Sequence, residues 1–206
     1  EFKELYGLLP EELTADAGYG SEENYHYLEE NGVESYVKYN TFDKSRKRSK
    51  WEERHPFAVE RLHHHAGQDC FYCPMGQKMG FIGEFTQTTK TGFEQQIRKY
   101  QAQNCKGCPL HTRCHKSKGN RIVQVNFRLR RYREEAKMRL EGEKGIAHRK
   151  QRPHDVEPVF GQIKHNRGFR RYLLRGIEKV EVESGLLAIA HNLKKSAKEP
   201  PLHKAS

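Results

Sequence analysis

The sequence is short of apolar material: hydrophobic residues make up 34% of its 206 positions and tryptophan occurs once, against about 45–50% apolar in ordinary soluble domains. A core cannot enclose the whole chain, so part of it has to lie outside. No run of about 18 apolar residues is present, which excludes a membrane-spanning helix, and no charged-then-apolar opening reads as a secretory signal. Acids are outnumbered, 27 Asp+Glu against 38 Lys+Arg, for a formal charge of +11. That balance argues against a neutral, self-contained metabolic enzyme.

The charge is unevenly distributed. Residues 1–40 carry ten acids against Lys3 and Lys38, whereas Arg121 to Arg152 carries eleven basic residues against Glu134, Glu135, Glu141 and Glu143. A basic stretch this dense suits phosphates, because each Lys or Arg that neutralises one also releases a counterion. A solvated helix face is the plainer reading of the same residues.

Residues 13–40 read as strand, helix, strand. Leu13 to Asp16 is a short apolar run stopped by Ala17-Gly18-Tyr19-Gly20, and Ser21 followed by Glu22 and Glu23 marks a helix start. Gly32 ends that helix, and Val33 to Tyr39 is rich in β-branched and aromatic residues. Asp16 thereby falls at the carboxyl end of a strand, where open α/β sheets place ligands. From Thr41 to about Gly119 periodicity fades into Lys-, His-, Gly- and Cys-rich sequence. A structureless loop of that length is abnormal, so an inserted subdomain held by its cysteines is expected. Arg121 to Phe127 reads as a strand returning to the main body, followed by a charged helix from Arg130 to about Glu141. Val156, Val159, Phe160 and Ile163 form a helical stripe. Pro153 and Pro158 favour a start near Asp155 as N-cap. A last amphipathic helix is expected from Ile177 to Lys195, then a disordered tail.

Two groups of residues carry chemistry. Asp16 at a strand end and Glu157 in the first turn of a helix are carboxylates of the kind that hold Mg²⁺ or Mn²⁺, ions that clamp the attacking and leaving oxygens of a phosphodiester displacement. Each also has a plain structural reading, as a turn residue and as a dipole-compensating acid. The second group is Cys70-x2-Cys73, Cys105-x2-Cys108 and Cys114, with His111 and His115 nearby. Two C-x2-C pairs give four corners of a zinc tetrahedron, Cys114 being spare or the replacement for one of them. The C-x2-C-x5-C spacing also suits part of an iron–sulfur cluster, and unmetallated thiols are the third alternative. His63-His64-His65, and Lys44 to Lys50 with Trp51, read either as ligand or DNA contacts or as solvated loops.

The wording around the carboxylates is more specific. Thr14-Ala15-Asp16-Ala17-Gly18-Tyr19-Gly20-Ser21-Glu22-Glu23-Asn24 and Val156-Glu157-Pro158-Val159-Phe160-Gly161-Gln162-Ile163-Lys164 resemble the second and third acidic blocks of insertion-sequence DDE transposases. Arg170-Arg171-Tyr172-Leu173-Leu174-Arg175-Gly176 and His191-Asn192-Leu193-Lys194-Lys195 look like that family's C-terminal helices, and the Cys-rich insertion marks one of its branches. The resemblance implies an α/β fold: a partial ribonuclease H-like core (1–40 and 120–196) interrupted by the Cys-rich insertion (41–119), for which the cysteine spacing favours zinc, with C-terminal helices and a tail at 197–206. It implies two divalent metals, DNA cleavage and strand transfer at transposon ends and target, a homodimer in the intact protein, and a cytoplasmic, nucleoid-associated location.

Matched residue by residue, Asp16 resembles the second acid, Glu157 the third, and Lys164 the lysine of E-x6-K, a phosphate contact. The upstream signature Y-x2-R-x3-E departs here: position 153 is proline, Arg152 comes one place early, and His148 and Arg149 stand near the place of the tyrosine. Arg149 and Arg152 are retained as DNA contacts, with Arg128, Arg130, Arg131 and Arg133 from the basic stretch. Residues 1–15 contain no aspartate, so the chain reads as the C-terminal portion of a transposase lacking the first catalytic Asp and the end-binding domain, and inactive alone. The rival readings are a non-enzymatic, zinc-containing DNA-binding protein and a decayed transposase remnant.

Overall fold

A computed structural model describes residues 2–46, 53–166 and 168–197. The expectations for Lys47 to Trp51 and for the tail beyond Ala197 lie outside the described residues. The chain divides after Gly145 into two compact units.

The first unit opens with α1 (Phe2–Tyr6), β1 (Glu12–Ala15), α2 (Glu22–Glu30), β2 (Glu34–Val37) and α3 (Phe42–Arg46). Strands β1 and β2 pair in parallel, Leu13 opposite Ser35 and Ala15 opposite Val37, with α2 as the crossover. Ser21 caps α2, its Oγ accepting from Asn24 N at 3.2 Å, and Gly32 leaves the helix at φ +66°. This is the strand–helix–strand unit expected from the sequence.

The segment from 59 to 125 is not held by cysteines alone. It forms an antiparallel five-stranded sheet in the order β3 (His63–His65), β4 (Cys70–Tyr72), β5 (Lys78–Thr88), β6 (Glu94–Ala102), β7 (Ile122–Val125). A long hairpin, β5–β6, dominates it, and the sheet has an apolar cluster of Leu62, Phe71, Met79, Tyr100, Ala102, Val123 and Val125. The hairpin escaped the sequence reading because its turn, Thr89 to Gly92, lacks a two-residue Asn-Gly signal, and because β5 and β6 interleave few apolar residues with Lys, Glu, Gln and Thr. Strand β7 is corrected as well: it pairs with β6, Tyr100 opposite Val123, and does not return to the β1–β2 sheet.

Helix α4 (His111–Cys114) is one turn, and α5 (Phe127–Glu141) is the charged helix, capped by Asn126 Oδ1 accepting from Leu129 N at 2.8 Å. Tyr132, Ala136 and Leu140, at i, i+4 and i+8, are buried with Tyr25, Leu28, Val37 and Phe42 in a second apolar cluster. Thus α5 buries one face on α2 and β2 and leaves its arginines on the others.

Helix α6 spans Glu143–Gly161 and contains both Pro153 and Pro158. The start expected at Asp155 is therefore wrong, and Glu157 sits in the last turns of a long helix. The run Glu143 to Gln151 supplies enough helix-forming residues to nucleate ahead of the prolines, whereas the sequence reading let the prolines set the boundary. A π-helical turn, Gln162–Asn166, follows. The second unit ends with α7 (Ile177–Ser196), one residue longer than expected. No described helix is long and apolar enough to cross a membrane.

Candidate catalytic, basic and cysteine sites

Asp16 directly follows β1 and occupies the N-cap position of a 3-10 turn, Ala17–Tyr19, with extended backbone (φ −73°, ψ 168°) and no side-chain capping bond. Its carbonyl accepts from Tyr19 N at 3.0 Å. The turn is pressed onto the end of β2: a Cβ added at Gly20 would lie 2.3 Å from the Lys38 carbonyl oxygen, so only glycine fits. Asn24 Nδ2 donates to the Tyr19 carbonyl at 2.9 Å and fastens the turn to α2. Asp16 is thus an exposed carboxylate on a tightly braced turn at the carboxyl end of a parallel pair, the usual ligand edge of such sheets.

Glu157 is exposed on α6 in the other unit, and Lys164 is exposed in the π-helical turn seven residues on. The wider π turn rotates Lys164 less per residue than an α-helix would, so the two do not share an ideal helical face. Single π turns of this kind recur at functional sites. Arg149 and Arg152 are half-buried on the same helix.

The basic residues of α5 are mostly engaged within the chain. Arg128 Nε donates to Glu22, Arg130 pairs with Glu134 at 3.2 Å, and Arg131 makes a bidentate pair with Glu29 at 2.7 and 3.0 Å while reaching Glu135 at 2.9 Å. Arg133 Nε is buried without a hydrogen-bond partner among the described residues. The Arg131 donors, with the Tyr132 hydroxyl at 2.7 Å, hold the Glu29 carboxyl down to about 2. Asp69 is lowered in the same direction, first by the Tyr100 hydroxyl at 2.7 Å and then by Arg98 at 2.7 and 3.1 Å.

These depressed carboxyls make the first unit acid-sensitive. The Glu29 contribution is complete above its unfolded value of about 4.5 and disappears as pH falls toward about 2. The denaturation midpoint should therefore be lower at about pH 3 than at about pH 6, and Glu29→Gln should narrow the difference. An unchanged gap in that variant would show that the pair does not carry it.

The structure does not gather the cysteines as the two C-x2-C pairs suggested. Cys70 is fully buried in β4 opposite Gly80. Side chains alternate along a strand, so with Phe71 in the cluster beside Met79 and Tyr100, Cys70 belongs to the sheet's other face. Cys73, Cys105, Cys108 and Cys114 instead line a common pocket with His111 and His115. Among the described residues, no group of three or more His, Cys, Asp or Glu side chains stands close enough to hold a metal ion. The histidine run forms β3, where His64 packs 4.6 Å from Phe71 and 4.9 Å from Phe127; burial pushes its imidazole below its usual range.

Three residues were missed as important from sequence. Glu22, read only as part of the helix start after Ser21, is 1% exposed and accepts from Gln95 Nε2 at 2.8 Å, Asn126 Nδ2 and Arg128 Nε. Asp69 adopts a left-handed conformation, φ +44°, and ties the β3–β4 turn to β6. Arg121, read as a charge and as the start of a strand, is 7% exposed beside the thiols. No local sequence signal distinguishes Glu22 and Asp69, because their partners are distant in the chain.

A family model described as transposase DDE domain matches residues 72–197. The match covers more than half of the chain, which therefore belongs to the DDE transposase family. No curated protein and no solved structure matches it. The mixed α/β architecture, with a parallel β1–β2 pair, a curled antiparallel sheet and C-terminal helices, is consistent with a partial ribonuclease H-like DDE fold.

Proposed function

We propose that the chain contributes the second and third acids of a transposase that cleaves DNA phosphodiesters with Mg²⁺ or Mn²⁺ and joins the freed 3′-hydroxyl to target DNA. The observation that carries this reading is the family match over residues 72–197, which contains Glu157 and Lys164. The placement of Asp16 on a braced turn at the carboxyl end of β1 supports it. Both acids are exposed carboxylates, the oxygen donors that Mg²⁺ and Mn²⁺ require. When bound, such ions polarise the phosphoryl group and activate the attacking oxygen.

In this reading Asp16 and Glu157 would each supply a carboxylate to the ions, and Lys164 would contact a phosphate close to the cut strand. Arg149 and Arg152 contact the backbone further along. On α5, Arg130 is better suited to DNA than Arg128, since it can exchange its exposed partner Glu134 for phosphate at little cost, whereas Arg128 would abandon a buried carboxylate and Arg131 its bidentate pair with Glu29. Zinc held by cysteines would serve the structure of its segment and take no part in strand chemistry.

Duplex DNA binding provides the test. If the contacts are phosphate neutralisations, affinity should fall by on the order of a thousandfold between about 50 and 200 mM salt. Charge-neutralising substitutions at Arg130, Arg131 and Arg133 together should flatten that slope. Affinity indifferent to salt would remove DNA from the account.

A further inference from the structure

We infer that the cavity between α5 and the strands β6 and β7 binds a single nucleotide, with its phosphate on Arg133 and Lys137 and its base against the apolar wall. The choice of a nucleotide rests on the DNA reading above, whereas the cavity and its cations stand without it.

The cavity encloses about 580 Å³, within the range of about 300–1,000 Å³ typical of sites for small ligands. It opens where the two apolar clusters of the first unit meet without fusing. Tyr39 and Leu129 belong to the cluster under α5, Val59 and Val125 to the cluster of the five-stranded sheet, and all four line the cavity together with Ile97 of β6. Tyr39, Ile97 and Val125 are buried, so packing on both sides fixes the wall. Thr41 and Gln124 add a hydroxyl and an amide to the lining, groups that can hydrogen-bond the edge of a heterocycle.

The cations select the ligand. Of the basic residues on α5, Arg128 pairs with Glu22, Arg130 with Glu134, Arg131 with Glu29 and Arg139 with Glu135. Arg133 and Lys137 pair with no carboxylate among the described residues, and both line the cavity. Four residues apart, they are neighbours on one helix face, where like charges repel. Arg133 Nε is in addition buried without a hydrogen-bond partner among the described residues, a cost that an anion removes. Arg130 and Glu134 reach the cavity as a pair and Glu60 is its other acid, so three cations against two acids leave one net positive charge. Unbalanced cations beside an apolar wall suit an anion with a flat apolar body. A nucleotide has both parts: guanidinium grips phosphate through two parallel donors, and a base packs on aromatic and apolar side chains.

Position agrees with chemistry. Tyr39 follows β2 by two residues, and a Cβ added at Gly20 of the Asp16 turn would stand 2.9 Å from Tyr39 Cα. The cavity therefore begins at the same carboxyl edge of the β1–β2 pair that carries Asp16.

The experiment is isothermal titration of the purified 206-residue protein with deoxyadenosine monophosphate, deoxyadenosine and inorganic phosphate. Alongside it, affinity is measured for a blunt duplex and for the same duplex ending in one unpaired nucleotide. The monophosphate should bind at least roughly tenfold tighter than deoxyadenosine or phosphate, each of which fills half of the site. Binding of the free monophosphate assigns the cavity to a free nucleotide, and a gain confined to the unpaired duplex end assigns it to a strand. Either signal should be lost in Gln124→Trp, which fills the cavity from an exposed position on β7, and weakened about tenfold in the surface variant Lys137→Gln. Blunt-duplex affinity in Gln124→Trp should stay at the wild-type value. Phosphate binding as tightly as the monophosphate, no binding of either nucleotide form, or a signal undiminished in both variants would overturn the inference while blunt-duplex binding, and with it the DNA reading, remained. Monophosphate binding without any duplex binding would instead overturn the DNA reading and leave the cavity assigned.

Discussion

Replacing Asp16 with asparagine should abolish the proposed Mg²⁺-dependent DNA cleavage, by roughly a thousandfold or more, while leaving DNA affinity nearly unchanged. A catalytic ion contributes several kcal/mol of charge stabilisation in the transition state, and about 4 kcal/mol corresponds to a factor of a thousand. The amide keeps the shape of the side chain, so the 3-10 turn and the packing of Gly20 against Lys38 should survive the change. Glu157→Gln should have the same effect for the same reason. Lys164→Ala should differ in kind, weakening DNA binding as well as cleavage, because a phosphate contact acts before the chemical step. Cleavage that persists in Asp16→Asn would remove Asp16 from the site and leave its position at the strand end a structural coincidence.

Glu22→Ala should be the most damaging single change outside the proposed site. Its carboxylate is buried and receives donors from β6, from the cap of α5 and from Arg128, so it ties α2 to the five-stranded sheet and to α5 at one point. Removing one partner of a buried pair costs about 3–5 kcal/mol, and the lower end applies because Arg128 is about one-third exposed. A loss of about 3 kcal/mol corresponds to a fall in Tm of roughly 6–12 °C for a chain of this size. Thermal melts followed by circular dichroism give the answer. A loss under about 1 kcal/mol, the value of an exposed pair, would mean that water already serves these donors.

What could be read from the sequence was local. The strand–helix–strand unit carrying Asp16 announced itself through Ser21, Gly32 and the β-branched run from Val33, each acting over a few residues. The hairpin β5–β6 did not, because a half-exposed strand pair with Thr, Gln and Lys on one face dilutes the alternation that marks strands. The prolines misled for a related reason: a proline lowers the stability of a helix interior without forbidding it, and the ten helical residues before Pro153 outweighed that penalty. The cysteine pairs show the limit of spacing arguments. C-x2-C makes a bidentate knuckle only on a turn, which holds for Cys105 and Cys108, whereas Cys70 lies inside a strand that separates it from Cys73. Glu22, Asp69 and Arg121 acquire their meaning from partners 29 to 106 residues away in the first two cases and from a buried pocket in the third.

The most direct test of the central assignment is iron-mediated cleavage of the polypeptide. Fe²⁺ replacing Mg²⁺ in the DNA-bound transposase, with ascorbate and peroxide, generates radicals that cut the backbone beside the metal ligands. The account predicts fragments ending near Asp16 and near Glu157, both suppressed by excess Mg²⁺ and both lost in Asp16→Asn. Cuts elsewhere in the chain, or cuts near Glu157 that persist undiminished without the Asp16 carboxylate, would contradict it.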